Sequence, residues 1–225
     1  MDAILYFTLT LSYLILFIMG IIVAKRFHWK AEIVLLIMIA ALLYDNGILA
    51  AGKYIGESAA LKTLHAARYW LHAFFTPLLI IYSWRLLTAA NFDWAANKKA
   101  GWIAAAVTAA VICLEIMFET WGLSLKPAWK HGVLLYENAE KTSSFPVMMI
   151  VVSIVLTAAA LLLWLKRKQP HLTIGIVLAA GVGYLIHFII DTETSHNFSE
   201  LILIISLIMA RYKLHRQAEA YRSSN

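Results

Sequence analysis

The chain has 225 residues, of which 62% are apolar and 14% charged, with a mean hydropathy of +0.75 and a formal net charge of +6. An ordinary soluble domain is roughly half apolar and about a quarter charged. A soluble fold is therefore excluded for want of polar surface, and the apolar excess must face lipid; the single cysteine, Cys113, excludes a disulfide framework.

Apolar stretches follow one another along the chain. The first, Ala3–Ala24, has no basic leader and no small-residue cleavage site, which predicts a span and not a cleavable signal. Ile33–Ile55 and Ala59–Leu87 come next, the latter interrupted by Pro77, which predicts a kink. Gly101–Trp121, Pro146–Leu165, Leu172–Ile190 and Asn197–Ala210 complete a series of seven. Each lies near the roughly 20 residues that cross about 30 Å of hydrocarbon. The connection 122–145 is the only long one, lacks a secondary-structure pattern of its own, and is expected to cap whatever lies beneath it. No linker or repeat divides the chain, so residues 1–225 read as one all-α, polytopic membrane domain.

Basic residues set the expected orientation. Lys25, Arg26 and Lys30 follow the first stretch, and Arg85, Lys98 and Lys99 the third. Lys166, Arg167 and Lys168 follow the fifth, and Arg211, Lys213, Arg216 and Arg222 the seventh. These alternate connections hold thirteen of the nineteen lysines and arginines, which predicts that they are cytoplasmic, with the N-terminus outside and the C-terminus inside. Trp29, Trp84, Trp94, Trp102, Trp121 and Trp164 fall near span ends, as interfacial aromatics do. The positive charge is thus a topology signal and a contact for anionic lipid. It is not a nucleic-acid footprint, and no nucleic-acid partner is expected.

Ionisable residues inside spans cost a few kcal/mol each and call for a partner or a purpose. Asp45 and Asn46 lie in the second span, His65, Arg68 and His72 in the third, and Glu115 and Glu119 in the fourth. Tyr184, His187 and Asp191 belong to the sixth, and His196 and Glu200 open the seventh. With the predicted alternation of direction, all of them fall in the outer half of the bilayer. Their spacings of three, four and seven place them in stripes on helix faces. A polar cavity is expected, with Asp45, Asn46, Arg68 and His72 at its floor and Glu115 and His187 as walls. Lys53, His65, Asp191, His196 and Glu200 would ring the mouth.

Each residue also has a plainer role. Arg68 and Asp45 can pair simply to hold two helices together, and a histidine can be satisfied by a neighbouring carbonyl. Asn197-Phe-Ser-Glu200 has the form of a capping box. Lys53 and Lys62 can snorkel, and Gly181 and Gly183 can allow close helix packing or room for a ligand.

Imidazoles and carboxylates on facing helices can bind zinc and activate a water. The expectation is a metal-dependent hydrolase or transferase for a lipid-like substrate. His65, His72, His187 and Asp191 would ligate the divalent metal, and Asp45, Arg68 and Glu115 would carry the chemistry. Asn46, Tyr184, His196 and Glu200 would bind substrate. The arrangement resembles the seven-span ceramidase and adiponectin-receptor hydrolases. Those carry a His-x-x-x-His pair, where this chain has His187-Ile-Ile-Ile-Asp191 and His196-Asn-Phe-Ser-Glu200, and no membership is assigned. The alternatives are a small-molecule transporter or receptor, possible proton coupling included, and a b-type haem protein with His72 and His187 as axial ligands. A retinal protein is disfavoured because the seventh span has no lysine.

Overall fold

A computed structural model describes residues 2–26, 33–139, 146–189 and 192–223. The molecule is mostly helical. In chain order it comprises α1 (Asp2–Arg26), α2 (Ile33–Ile55), α3 (Ala59–Phe75), α4 (Leu78–Ala89), the short α5 (Asp93–Ala96) and α6 (Lys98–Glu115). A π-helical turn (Ile116–Thr120), strands β1 (Leu125–Lys130) and β2 (Val133–Asn138), α7 (Val147–Arg167), α8 (His171–Ile189) and α9 (Ser195–Ser223) follow.

Five of the described helical segments are long and apolar enough to cross a membrane: α1, α2, the α3–α4 unit, α6 with its π turn, and α7. These are the first five stretches expected from hydropathy. The α3–α4 unit is broken at Thr76–Pro77, where proline has no amide hydrogen for the helical ladder. His171–Ile186 of α8 is a shorter apolar helix. Many large apolar side chains point outwards, including Phe7, Ile22, Trp102, Val177 and Phe188, the inverse of a soluble surface.

The core between the helices is built from Tyr13, Ile39, Leu86, Leu163, Leu172 and Leu207, all almost fully buried, with further apolar residues around them. α8 and α9 pack closely along a line of small residues. A Cβ on Gly175 would fall 1.9 Å from Ser206 Oγ, and one on Gly183 would fall 2.1 Å from Ser199 Oγ. Ala179 lies between the two glycines on the same face, and its carbonyl accepts a hydrogen bond from Ser199 Oγ at 2.8 Å. This is the small-residue packing that membrane helices use where no hydrophobic force drives them together.

The connection 122–145 differs from its expectation. Its first part is a β-hairpin in which Lys130 pairs with Val133 across a two-residue turn. His131 and Gly132 both have positive φ, 46° and 81°, as a turn matching the twist of the strands requires. Val133, Leu134, Leu135 and Tyr136 are buried against α1, α2 and α3. The Leu134 carbonyl sits where a Cβ on Gly52 of α2 would stand, only 2.0 Å from that position. Lys130 Nζ bonds Glu137 at 2.6 Å and reaches Glu193, before α9, at 3.8 Å. The hydrogen bond to Glu137 holds the Lys130 ammonium above the ordinary lysine pKa. The hairpin therefore ties the starts of α1 and α9 to the end of α2, and among the described residues none of its side chains lines the cavity described below.

Candidate functional site

Polar residues from α2, α3 and α9 meet in one network. Arg68 Nε donates to Asp45 Oδ1 at 2.7 Å, joining the two residues matched in depth by the sequence. Arg68 Nη1 donates to His65 Nδ1 at 2.8 Å, so the neutral His65 ring carries its proton on Nε2. Asn197 Nδ2 donates to the other Asp45 oxygen at 3.4 Å. Each partner supplies what the next lacks, the arrangement that lets a charge pair persist away from water.

The α9 start explains how Asn197 comes to be there. The helix begins at Ser195, and Phe198 N–H already donates to the Thr194 carbonyl at 3.1 Å. Asn197 is thus inside the helix and not at its cap, so the capping box does not form. Glu200 Oε1 instead meets His196 Nε2 one turn earlier, at 3.2 Å.

A cavity of about 670 Å³ adjoins this network. Its polar lining comprises Asp45, Arg68, His72, Glu115, His196 and Glu200, together with Glu119 and Asn197. Its apolar lining includes Met38, Leu42, Phe75, Leu79, Leu156 and Ile204. His72 Nδ1 shares a hydrogen with Thr76 Oγ1 at 3.1 Å, just before the Pro77 break, which orients the ring by a local bond on its own helix. Ser199 adds a hydroxyl, and so do Ser153 and Thr157, which sequence reading did not select. Serines and threonines within an apolar helix commonly bond their own backbone, so their type alone carries no signal.

Six of the expected site residues thus share one cavity. Others are placed elsewhere. His65 does not ring a mouth; it is fully buried, with its ring 6.0 Å from that of Tyr136 in β2. Asn46 is fully buried and donates to the Leu42 carbonyl at 2.9 Å, away from the cavity lining. Tyr184 is 69% exposed, stacks on Phe188, and faces out of the bundle. The His187 side chain and Asp191 lie outside the described residues. Gly181 has no atom within 4 Å of its Cβ position, whereas Gly183 is a packing residue.

Among the described residues no three of His, Cys, Asp and Glu converge as a metal requires. His65, bound to Arg68 and buried away from the lining, is separated from His72 in this respect. Chemically, the cavity offers an imidazole held by a carboxylate, a second imidazole, several carboxylates and a neutralised guanidinium, beside a long apolar surface. No protein-family model matches the chain, and comparison with curated proteins and with solved structures finds no similar one.

Proposed function

We propose that the chain is a seven-span protein of the cell membrane that takes a lipid-like amphiphile into an outward-facing site and acts on it as a hydrolase or group transferase. The observation that carries this is the two-part lining of the cavity, charged and hydrogen-bonding at one end and apolar over the rest. Its volume falls in the ~300–1,000 Å³ range of small-molecule sites. The five long apolar helices support the count, with α8 and the first half of α9 as the remaining two spans. The basic residues after α1, α4, α7 and in the second half of α9 support a cytoplasmic C-terminus. The hairpin end, and the polar end of the cavity with it, then faces outside.

In this reading the apolar wall holds a hydrocarbon chain and the polar end holds the bond to be cut. His196, oriented by Glu200, accepts the proton of an attacking water or hydroxyl. His72 and Glu115, which line the same cavity, form the acid side, and Asp45 and Arg68 keep the floor rigid. A divalent metal, zinc foremost, enters this reading through His187 or Asp191 joining His72. The described residues alone do not form such a set, and no step above depends on one.

The test uses the purified protein in phosphatidylcholine vesicles with 1-palmitoylglycerol, following fatty-acid release by mass spectrometry. Release that is lost in His196→Ala supports the reading. Saturable binding with no turnover favours a receptor or transporter instead, a reading supported by the engagement of Arg68 with Asp45 and His65. Neither binding nor turnover defeats both. Elemental analysis and an absorption spectrum of the same sample decide zinc and haem.

A further inference from the structure

The cavity wall is not uniformly covered. On α2, α3, α4 and α6, with its π turn, every lining residue is buried or half-buried. The exposed ones are Pro146, Met149, Ser153 and Thr157 at and along α7, Ala180 on α8, and His196 in the first turn of α9. Met149, Ser153 and Thr157 are spaced i, i+4, i+8, a single stripe about 12 Å long. Thr157 is the middle residue of the 21-residue α7, and Ala180 is the middle residue of the 19-residue α8. A mouth open only to water would expose residues at the helix ends. Here exposure runs down to mid-helix on both sides of one gap, at a depth where a bilayer holds acyl chains.

The small side of the gap has its own cause. α8 turns Gly175, Ala179 and Gly183 towards α9. That rotation leaves Ala180 beside the gap and sends Val177, Tyr184 and Phe188 outwards. With no bulky side chain at Ala180, α8 does not close against α7 at this level. The stripe on α7 is also not purely apolar. Ser153 and Thr157 would be costly to leave facing lipid with no further role, although each can bond its own helix.

The head end carries a second constraint. Arg68 is the only lysine or arginine among the described lining residues, and two edges of its guanidinium are already used, Nε by Asp45 and Nη1 by His65. The two-pronged grip by which arginine holds carboxylate or phosphate uses Nη2 together with Nε or Nη1, and one member of each fork is already engaged, with the Asp45 carboxylate balancing the charge. Asn197, Ser199 and the His196–Glu200 pair remain as hydrogen-bonding groups around the head.

We infer that the slit between α7 and α8 is a lateral portal through which a single-chain amphiphile with an uncharged, hydrogen-bonding head enters from the bilayer. The chain threads past Ser153, Thr157 and Ala180 while the head reaches the polar end. This rests on the proposal that the cavity holds an amphiphile at all.

The test is photo-crosslinking of the protein in phosphatidylcholine nanodiscs with 1-palmitoylglycerol carrying a mid-chain diazirine, mapped by mass spectrometry. Labels are expected on Ser153–Thr157 and Ile176–Ala180, removable by excess unlabelled 1-palmitoylglycerol and far less by palmitate. Ala180→Trp and Thr157→Trp fill the gap and should lower capture about tenfold, the equivalent of ~1.4 kcal/mol. Ile154→Trp and Val177→Trp, exposed on the same helices but outside the lining, should stay near wild type. Ser153→Trp repeats the test should either filling variant fail to fold. Undiminished capture in the folded filling variants overturns the portal while the amphiphile site stands. Stronger competition by palmitate overturns the uncharged head. No saturable label in the wild-type protein removes the amphiphile reading and the portal with it.

Discussion

A guanidinium inside an apolar bundle survives on its partners, and Arg68 has one on each side. Its 2.7 Å contact with Asp45 and 2.8 Å contact with His65 use two separate nitrogens. Removing Asp45 leaves Arg68 with a neutral imidazole alone, and removing Arg68 strands the carboxylate with Asn197. Their side chains are only 25% and 18% exposed, so water gives little relief. Asp45→Ala or Arg68→Ala should each cost on the order of 3–5 kcal/mol, and the double change should cost less than the two added together. Thermal unfolding in detergent measures the cycle, and additive losses would show that the pair is energetically independent. His65 belongs to the same argument. Its fully buried Nε2 has no partner in the structure, which makes a bridging water or the face of Tyr136 its natural counterpart.

Two glycines decide how elements meet. Gly52 lets the Leu134 backbone lie directly on α2, and Gly183 lets Ser199 approach α8. In neither case is the obstacle the far end of a flexible side chain: the first is a backbone carbonyl and the second a short hydroxyl on a packed helix. Gly52→Val should therefore push the hairpin off α2, seen as faster proteolysis within Trp129–Leu135, with the helical circular dichroism retained. A hairpin as resistant as wild type would mean that α2 yields instead. Gly183→Leu should separate α8 from α9 and destabilise the protein by about 1–3 kcal/mol, the usual cost of overpacking. Gly181→Ala, at a position with open space, should be nearly neutral and serves as the comparison. A Gly183 variant as stable as the Gly181 one would show that the two helices are not held by this contact.

For the molecule as a whole, the two ends differ in charge. The hairpin end carries Lys53, Glu57, Lys130, Glu137 and Glu193, charges of both signs, whereas Lys25, Arg26, Arg85, Lys166 and Arg167 cluster at the other. The same opposite end is closed by hydrogen bonds, including the 2.5 Å bond from Gln169 to Gln217 and the bond from Arg167 to the Asn91 carbonyl. A reporter fused after Asn225 should behave as cytoplasmic, and one inserted between Glu140 and Phe145 as external. Swapped signals would place the cavity mouth in the cytoplasm and end the outward-facing proposal. Seven crossings also require α8 and α9 to span, so a reporter placed at Gln169 should read as cytoplasmic and one at Thr192 as external.

Local chemistry already told much of this. Hydropathy placed the first five membrane-competent helices because a span needs only a run of apolar residues of sufficient length. Pro77 announced the break between α3 and α4 because its missing amide acts within one turn. Depth counting brought Asp45 to Arg68 because helix rise is constant. What composition and spacing leave open is the rotation of each helix about its own axis and the docking of segments far apart in the chain. Tyr184 shares a stripe with His187 in the sequence, yet it sits one residue, about 100° of helix, beyond Gly183. Once Gly183 packs on Ser199, Tyr184 must point outwards. His65 looked like a mouth residue until the hairpin laid Tyr136 over it, and that hairpin depends on an opening at Gly52 more than seventy residues earlier in the chain. The helices are written in short-range pattern, whereas the cavity and its open side arise from where backbones can approach closely, a property of pairs of segments and not of either one.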